Sequence, residues 1–224
     1  MSVQENITIA IMQPYFFPYA GYYRLLNEAD IFVIYDCVQF PRRGWVHRNQ
    51  FSKKNNAVDW LTLPVKKSPR ETLIMNMEFD KSFRYETFLE SLDKFKISTV
   101  LASKELETFF NFDQLLVDLL EKQLKFVREI LGFKTKIFRS SALHIPNEIK
   151  AEKRILEIIK LFSATRYLNL AGGINLYNYD TFHHNGIELN FLSTFSGNKM
   201  SILERMKFEP ILDLKEEISR NSNQ

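Results

Sequence analysis

A carboxylate, a histidine and several arginines lie close together in the first third of the chain. Asp36 follows the apolar run of residues 31–35, and His47 lies in the loop beyond it. A carboxylate at the rim of an apolar core is partly desolvated, which raises its pKa, while nearby arginines lower that pKa again. Asp36 is therefore the first candidate for a general base. An ion pair with Arg43 or Arg48 is its alternative role, and His47 is the alternative base.

Five basic side chains form a cluster around the same loop: Arg42, Arg43, Arg48, Lys66 and Lys67. Arginine binds a phosphate or carboxylate through paired hydrogen bonds, whereas lysine supplies a mobile charge, so the mixed set suits a diphosphate-bearing ligand. An ordinary solvated surface is the alternative interpretation. Trp45 belongs to the same loop and could stack on a sugar or a base. Asn49 or Gln39 would contact an oxyanion or a sugar hydroxyl.

Other reactive residue types give weaker signals. Cys37 comes one position after the candidate base, so its side chain points to the opposite face of a strand, and we expect a buried, inert thiol. Gly172 and Gly173 follow a predicted strand and precede a predicted helix, an arrangement suited to a backbone anion cradle. His183 and His184 have no carboxylate or cysteine at zinc-ligand spacing, so no metal site is predicted.

The elements that would position these residues begin with a β-α-β unit. Residues 7–12 and 31–35 are short apolar runs that end at polar residues, and residues 19–29 between them have a helical pattern. If the two strands are parallel, Gln13 and Asp36 emerge at the same carboxyl edge of the sheet. Open α/β folds bind their ligands at that edge.

The rest of the chain continues the alternation of strands and helices. The patterns predict strands over residues 60–65, 136–139, 166–170 and 187–192, and helices over residues 83–95, 112–131, 148–162 and 175–184. This order predicts a single α/β domain of residues 1–224, a Rossmann-like three-layer sandwich with a mainly parallel sheet and helices on both faces. The pattern weakens after residue 196, and we expect a weakly ordered tail from about residue 215.

Composition restricts the classes of protein that the chain could belong to. The 224 residues include 30 basic and 27 acidic ones, and a net charge of +3 does not indicate a nucleic-acid binder. One cysteine permits no internal disulfide, which is typical of a reducing compartment. The first residues lack the features of a signal peptide, and no apolar run approaches the roughly 18 to 20 residues of a membrane span. We therefore expect a cytoplasmic protein.

Six segments resemble the signature blocks of the WbqC-like protein family: MQPYFFPYAGYY, FVIYDCVQF, RRGWVHRN, WLTLPVKK, TKIFRSS and YLNLAGGINLY. The family comprises small bacterial proteins that are often linked to the assembly of O-antigen and other surface polysaccharides. This chain departs from the family pattern at Cys37, where the family commonly has aspartate, and at Met12, where it often has histidine. Neither Cys37 nor a histidine at position 12 can therefore be an obligatory catalyst of the family.

The resemblance implies a function in glycan assembly, and the residues suggest its chemistry. We expect an enzyme of O-antigen biosynthesis that modifies a nucleotide-linked sugar, by acyl or aminoacyl transfer to an amino sugar. The donor would be a thioester of coenzyme A or of an acyl carrier protein. The expected catalytic residues are Asp36, His47 and Asn49. The expected substrate contacts are Gln13, Tyr15, Tyr22, Gln39, Arg43, Trp45, Arg48, Lys66, Lys67, Gly172 and Gly173.

Two alternatives remain open at the level of sequence. A non-catalytic protein that binds sugar nucleotides or assists polysaccharide assembly would explain why no strong catalytic motif is present. Nucleotidyl transfer is the other alternative, because Lys199-Met200-Ser201 resembles the KMSKS loop of adenylate-forming nucleotidyl transferases. The HxGH motif of those enzymes would fall on the PYFFPYAGYY segment, with Tyr19 and Tyr22 in place of its histidines.

Overall fold

Five strands form a parallel sheet in the computed structural model, which describes residues 6–98 and 110–220. The strands of the chain are β1 (Thr8–Met12), β2 (Ile31–Ile34), β3 (Arg48–Ser52), β4 (Val58–Thr62), β5 (Lys136–Arg139), β6 (Arg166–Leu170) and β7 (Glu188–Leu192). The order in the sheet is β5-β2-β1-β6-β7, and every neighbouring pair is parallel. Strands β3 and β4 form a separate antiparallel hairpin.

Helices lie between the strands and after the last of them. They are α1 (Ala20–Glu28), α2 (Tyr85–Asp93), α3 (Leu116–Ile130), α4 (Ala151–Leu161), α5 (Tyr179–His184), α6 (Ile202–Phe208) and α7 (Ile211–Arg220), with 3-10 turns at Ile74–Asn76, Ser140–Ala142 and Ala171–Leu176. The helix expected over residues 175–184 begins only at Tyr179. Asn178 caps this helix, because its side-chain oxygen accepts a hydrogen bond of 2.9 Å from the Asp180 N–H. No helix in the described parts of the chain is long and apolar enough to span a bilayer.

Both faces of the sheet are buried under helices. Successive side chains of a strand point to opposite faces, so Ala10 and Phe32 join one core with α1 and α3. Ile9 and Val33 join the other core, which includes Ile155 of α4 and other residues of that helix. A parallel sheet needs this cover on both sides. The α/β three-layer architecture predicted from the alternation of strands and helices is therefore confirmed.

The strand order creates a topological switch point between β1 and β6. From β1 the chain adds β2 and then β5 on one side of the sheet, whereas β6 and β7 lie on the other side. Where the loops after two neighbouring strands run in opposite directions, a crevice forms at the carboxyl ends of those strands. Open α/β sheets bind ligands in this crevice. Gln13 follows β1 at this crevice, and Gly172 and Gly173 follow β6.

The long connection between β2 and β5 forms a cap, which comprises residues 35–98. Within it β3, a strand that the sequence patterns did not predict, pairs with β4. The strand expected over residues 60–65 corresponds to β4 and ends at Thr62. Strand β3 buries only alternate residues, Asn49 and Phe51, so it has no continuous apolar run. The rings of Phe51 and Phe16 pack edge to face at 6.3 Å and join the cap to the loop after β1.

The end of the chain is more ordered than its sequence suggested. The tail expected to lose order from about residue 215 is helical as far as Arg220, and residues 221–224 lie outside the described residues. Leu214 and Ile218 of α7 are fully buried in the core that also contains α1. Two apolar side chains spaced by four residues give a short polar helix one buried stripe, which accounts for its order.

Candidate functional site

The loop after β1 is held in place by two amide side chains. The Gln123 side chain accepts a hydrogen bond of 2.8 Å from the Phe17 N–H and donates one to the Tyr15 carbonyl. The Asn49 amide donates to the carbonyls of Phe16 and Phe17, at 2.9 and 2.7 Å. Phe17 has a φ of 42°, an unfavourable value for this residue type, which these contacts stabilise. The Asn49 amide is thus occupied, and the catalytic contact expected of it would require these bonds to break.

Asp36 joins the end of β2 to the end of β5. One carboxylate oxygen accepts hydrogen bonds from the Ser140 hydroxyl at 2.7 Å and the Ser141 N–H at 2.9 Å. The other oxygen accepts from the Ser141 hydroxyl at 2.5 Å. The residue is completely buried, and no basic side chain among residues 6–98 and 110–220 forms an ion pair with it. The alternative pairing with Arg43 or Arg48 is therefore not seen, and the contacts favour a structural role.

His47 lines a cleft of about 190 Å³ in the cap, together with Arg42, Lys66 and Lys67. The imidazole is buried, and its ring lies 5.0 Å from that of Phe40. Burial and the neighbouring positive charge of Arg48 lower the pKa of His47 to about 4, so the imidazole is neutral at pH 7. Its Nδ1 atom has no hydrogen-bond partner among the described residues.

The cations of this cleft differ in how firmly they are held. Lys66 forms an exposed ion pair of 2.8 Å with Glu78, which raises the lysine pKa. Arg42 donates a hydrogen bond of 2.6 Å to the Ser68 carbonyl and has no carboxylate partner in the described parts of the chain. Exposed ion pairs contribute little stability, so an incoming anion can replace Glu78 at low cost. The cleft therefore presents mobile positive charge beside a neutral imidazole.

The outer face of the β3–β4 hairpin carries an aromatic and cationic stack. The ring centroids of Trp45 and Trp60 lie 4.9 Å apart, and the Arg48 guanidinium lies 4.2 Å above the centroid of Trp60. Arg48 also donates to the Arg43 carbonyl at 2.8 Å. Trp45 is 43% exposed, so part of its ring is accessible to a ligand. Trp60 was not predicted as a site residue, although the β4 register sets it opposite Gln50 on the same face as Arg48.

Three of the expected substrate contacts lie on or beside the loop after β1. Tyr22 is completely buried, and its hydroxyl donates a hydrogen bond of 2.8 Å to the Gln13 carbonyl. It belongs to the core, where a ligand could not reach it without rearrangement. Tyr15 is half-buried with its ring 5.5 Å from that of Tyr22, and burial raises the Tyr15 pKa. The Gln13 amide is half-buried and accepts or donates no hydrogen bond within the described residues.

The remaining predicted residues are dispersed. The exposed Gln39 amide donates to the Arg70 carbonyl at 2.7 Å. Gly172 is exposed, and a Cβ there would meet no atom within 4 Å, whereas a Cβ at Gly173 would lie 3.2 Å from the Asn169 amide. The glycines lie in a 3-10 turn, and the helix expected directly after them begins only at Tyr179, so they do not form an anion cradle at its start. The Cys37 thiol, expected to be buried, is half-exposed, and its Sγ atom lies 3.0 Å from the Ser140 hydroxyl oxygen.

The segment that resembles a KMSKS loop contacts the loop after β1. Ser201 pairs with Tyr19 in an isolated β-bridge, and its hydroxyl donates a hydrogen bond of 2.8 Å to the Phe17 carbonyl. Ser201 is buried, so this contact holds the two loops together. Within the described residues, no three histidine, cysteine or acidic side chains are grouped so that they could hold a metal ion.

Comparisons with known proteins give the context of this site. The chain is 35% identical over 80 residues to a protein named "Uncharacterized protein Rv1507c" from Mycobacterium tuberculosis (strain ATCC 25618 / H37Rv), and the match covers 33% of this chain and 34% of that protein. No solved structure matches significantly. The model of the WbqC-like protein family matches residues 13–213, and that family suggests a role related to polysaccharide biosynthesis. As its sequence motifs indicated, the chain belongs to the WbqC-like protein family.

Proposed function

We propose that the protein is an enzyme of bacterial surface-polysaccharide biosynthesis that transfers an acyl or aminoacyl group to the amino sugar of a sugar nucleotide. The observation that carries this proposal is the cleft of the cap, in which Arg42, Lys66 and Lys67 surround the neutral imidazole of His47. Cations to hold a diphosphate and a base to accept a proton are the two requirements of such a reaction.

The size of the cleft suggests which part of the substrate it would hold. A volume of about 190 Å³ is smaller than the roughly 300 to 1,000 Å³ of sites that enclose a whole ligand. The cleft therefore suits the diphosphate alone, and the sugar and the nucleobase of the substrate would lie outside it. The exposed face of Trp45 belongs to the same loop as Arg42 and His47, and it would stack on a sugar ring or a base. Arg43 and Arg48 would add charge beside it.

His47 is the base in this proposal, and Asp36 positions the strand ends. The amino group of an amino sugar is protonated at pH 7 and must lose a proton before it attacks a thioester carbonyl. The neutral imidazole of His47, which lines the cleft, would accept that proton. A diphosphate bound next to the imidazole would offset the charge of Arg48 and raise the His47 pKa towards neutrality, where a general base is most effective. The attack forms the amide bond and releases the thiol of the donor, a coenzyme A or a carrier protein.

A binding protein without catalytic activity is the second candidate, and one observation favours it. The side chains of Asp36 and Asn49, two of the three expected catalytic residues, are occupied by hydrogen bonds within the fold. Only His47 then remains as a base. A protein that binds a sugar nucleotide for other components of polysaccharide assembly would need the cleft and no base.

Calorimetric titration with a UDP-linked amino sugar tests the binding part of the proposal. The double variant Arg42→Ala/Lys67→Ala should bind at least about tenfold more weakly, because each charge-assisted hydrogen bond contributes about 1.5 to 3 kcal/mol. Lys160→Ala is the matched control, since Lys160 is an exposed lysine with a glutamate partner on α4, outside the cap. Equal affinity in the double variant and in the control would remove the cleft from the site.

Release of free thiol from acyl-coenzyme A in the presence of the sugar nucleotide tests the enzymatic part. His47→Gln should bind the sugar nucleotide normally and turn over at least about a hundredfold more slowly, which is the usual effect of losing a general base. A wild-type protein that binds the sugar nucleotide tightly and releases no thiol from coenzyme A or carrier-protein thioesters would favour the binding protein.

A further inference from the structure

A second group of polar side chains lies at the carboxyl edge of the sheet, at the switch point between β1 and β6. Met12 of β1 pairs with Ile34 of β2, so Gln13 and Tyr35 come next at the same level. Tyr35 packs against the core beneath α4. Asn169, near the end of β6, is buried. None of these residues lines the cleft of the cap.

A buried network fixes part of this group. The hydroxyls of Tyr167 and Tyr177 are 2.9 Å apart, and the Asn169 amide donates to both, at 3.0 and 3.1 Å. The Asn169 carbonyl oxygen accepts from the Leu170 N–H at 2.7 Å. These hydrogen bonds satisfy the polar atoms of the three side chains and hold them in fixed positions. The Tyr35 hydroxyl, in contrast, has no hydrogen-bond partner in residues 6–98 and 110–220. Burial raises the Tyr35 pKa to about 12, so the phenol is a donor at pH 7.

Arg154 of α4 is buried next to this group and has no carboxylate partner among residues 6–98 and 110–220. Its side chain interacts with the phenol of Tyr35, where its charge opposes the effect of burial on the tyrosine pKa. Arg154 is 5% exposed. Its Nη1 donates to the carbonyls of Ile145, Pro146 and Ile149 at 3.4, 3.0 and 3.3 Å. The Nε atom is buried with no partner, and Nη2 forms no hydrogen bond to any described residue.

Arg205 shows how this fold stabilises a buried arginine that has a structural role. It is 6% exposed, close to the value for Arg154, and it forms ion pairs with Glu209, at 2.5 Å, and with Glu217. A buried charge without a partner costs several kcal/mol, so such groups are normally paired. The Nε–Nη2 edge of a guanidinium is a two-donor fork that matches the two oxygens of a carboxylate. In Arg154 neither atom of that edge has a hydrogen-bond partner among the described residues.

We propose that Arg154, Tyr35 and Gln13 form a binding site for the carboxylate group of a small molecule. The guanidinium edge would hold both oxygens, and the Tyr35 hydroxyl and Gln13 amide would donate to them. Glu152, in the first turn of α4, is held by the Asn178 N–H at 2.9 Å and contributes a negative charge nearby. One cation beside one fixed anion suits a monovalent carboxylate better than a divalent phosphate.

Saturation-transfer NMR with propionate as the probe, at constant ionic strength, tests this site in the full-length protein. Propionate should give a saturable signal, whereas propionamide, which has the same shape and no charge, should give none. Inorganic phosphate at the same concentration should not displace propionate. Equal signals from propionamide, or displacement by phosphate, would overturn the proposal of a carboxylate site.

Three variants locate the binding. Arg154→Lys keeps the charge and loses the fork, and it should weaken propionate binding about tenfold, the loss of one charge-assisted bond. Tyr35→Phe leaves the buried arginine in place and should weaken binding about fivefold, so the test survives if Arg154→Lys fails to fold. Lys125→Gln is the control, since Lys125 is an exposed lysine of α3 that belongs to neither site, and it should bind propionate as the wild type does. Unchanged binding in Tyr35→Phe and in a folded Arg154→Lys would exclude the switch point as the site.

Discussion

Replacing Asp36 by asparagine should destabilise the protein, because its carboxylate joins the ends of β2 and β5. The amide keeps one oxygen, which can still accept from the Ser140 hydroxyl and the Ser141 N–H, but those two bonds lose their charge assistance. The difference between a charge-assisted and a neutral hydrogen bond is about 1 kcal/mol each. The Ser141 hydroxyl, which donates to the other carboxylate oxygen, would face an NH₂ group and would have to accept a hydrogen bond instead. We therefore expect a loss of about 2 to 3 kcal/mol and a Tm lower by roughly 4 to 10 °C.

Urea denaturation and calorimetry of both proteins at pH 7 would measure this change. Asp80→Asn is the matched control, since Asp80 accepts hydrogen bonds from the Ser82 N–H, at 2.9 Å, and the Ser82 hydroxyl, at 2.6 Å, in contact with solvent. The control should melt close to the wild type. An Asp36→Asn variant with unchanged stability and a turnover at least a hundredfold lower would refute the structural assignment and make Asp36 the base instead of His47.

Three further predictions concern the same region. Cys37→Ala should keep its activity, because the thiol contacts the Ser140 hydroxyl and does not line the cleft; loss of turnover at a normal Tm would make it a nucleophile. Arg43→Ala and Arg48→Ala should weaken sugar-nucleotide binding, and only Arg48→Ala should also lower the Tm, since Arg48 packs on Trp60; unchanged affinity in both would exclude them from the site. Stability should fall as the pH falls from about 6.5 to about 4, because His47 has a pKa of about 4 in the folded state and an ordinary pKa of about 6.5 in the unfolded state. Between these values the unfolded state binds a proton that the folded state does not. A His47→Gln variant should show a flatter pH dependence of Tm over that range, and an identical slope would contradict this assignment.

The sheet could be predicted from the sequence, because β1 and β2 are short apolar runs with polar residues after them and the later strands alternate with helical patterns. The predicted bounds of β5 and β6 match the structure at both ends. Strand β3 was missed because its buried residues alternate with polar ones, and only its pairing with β4 makes it a strand. Helix α7 was missed because a single stripe containing Leu214 and Ile218 is a weak signal without its partner α1.

The sequence indicated which cationic residues lie together, but not which hydrogen bonds occupy Asp36 and Asn49. The carboxyl edge of the sheet follows from the order of elements, and the cluster of Arg42, Lys66 and Lys67 follows from their position after strands. The roles of Asp36 and Asn49 depend on partners about 104 and 33 positions away in the chain, which no local pattern reveals. Long-range hydrogen bonds of this kind become visible only when the fold is known.

The pKa of His47 with and without ligand tests most directly whether the cleft of the cap is a diphosphate site. The imidazole signals of the protein can be followed by NMR over a range of pH, and the His47→Gln variant assigns them. Without ligand the His47 pKa should be about 4, owing to burial and to the charge of Arg48. With a saturating UDP-linked amino sugar, the negative charge next to the imidazole should raise that pKa by at least about one unit. A His47 pKa that is the same with bound ligand would contradict the proposed site.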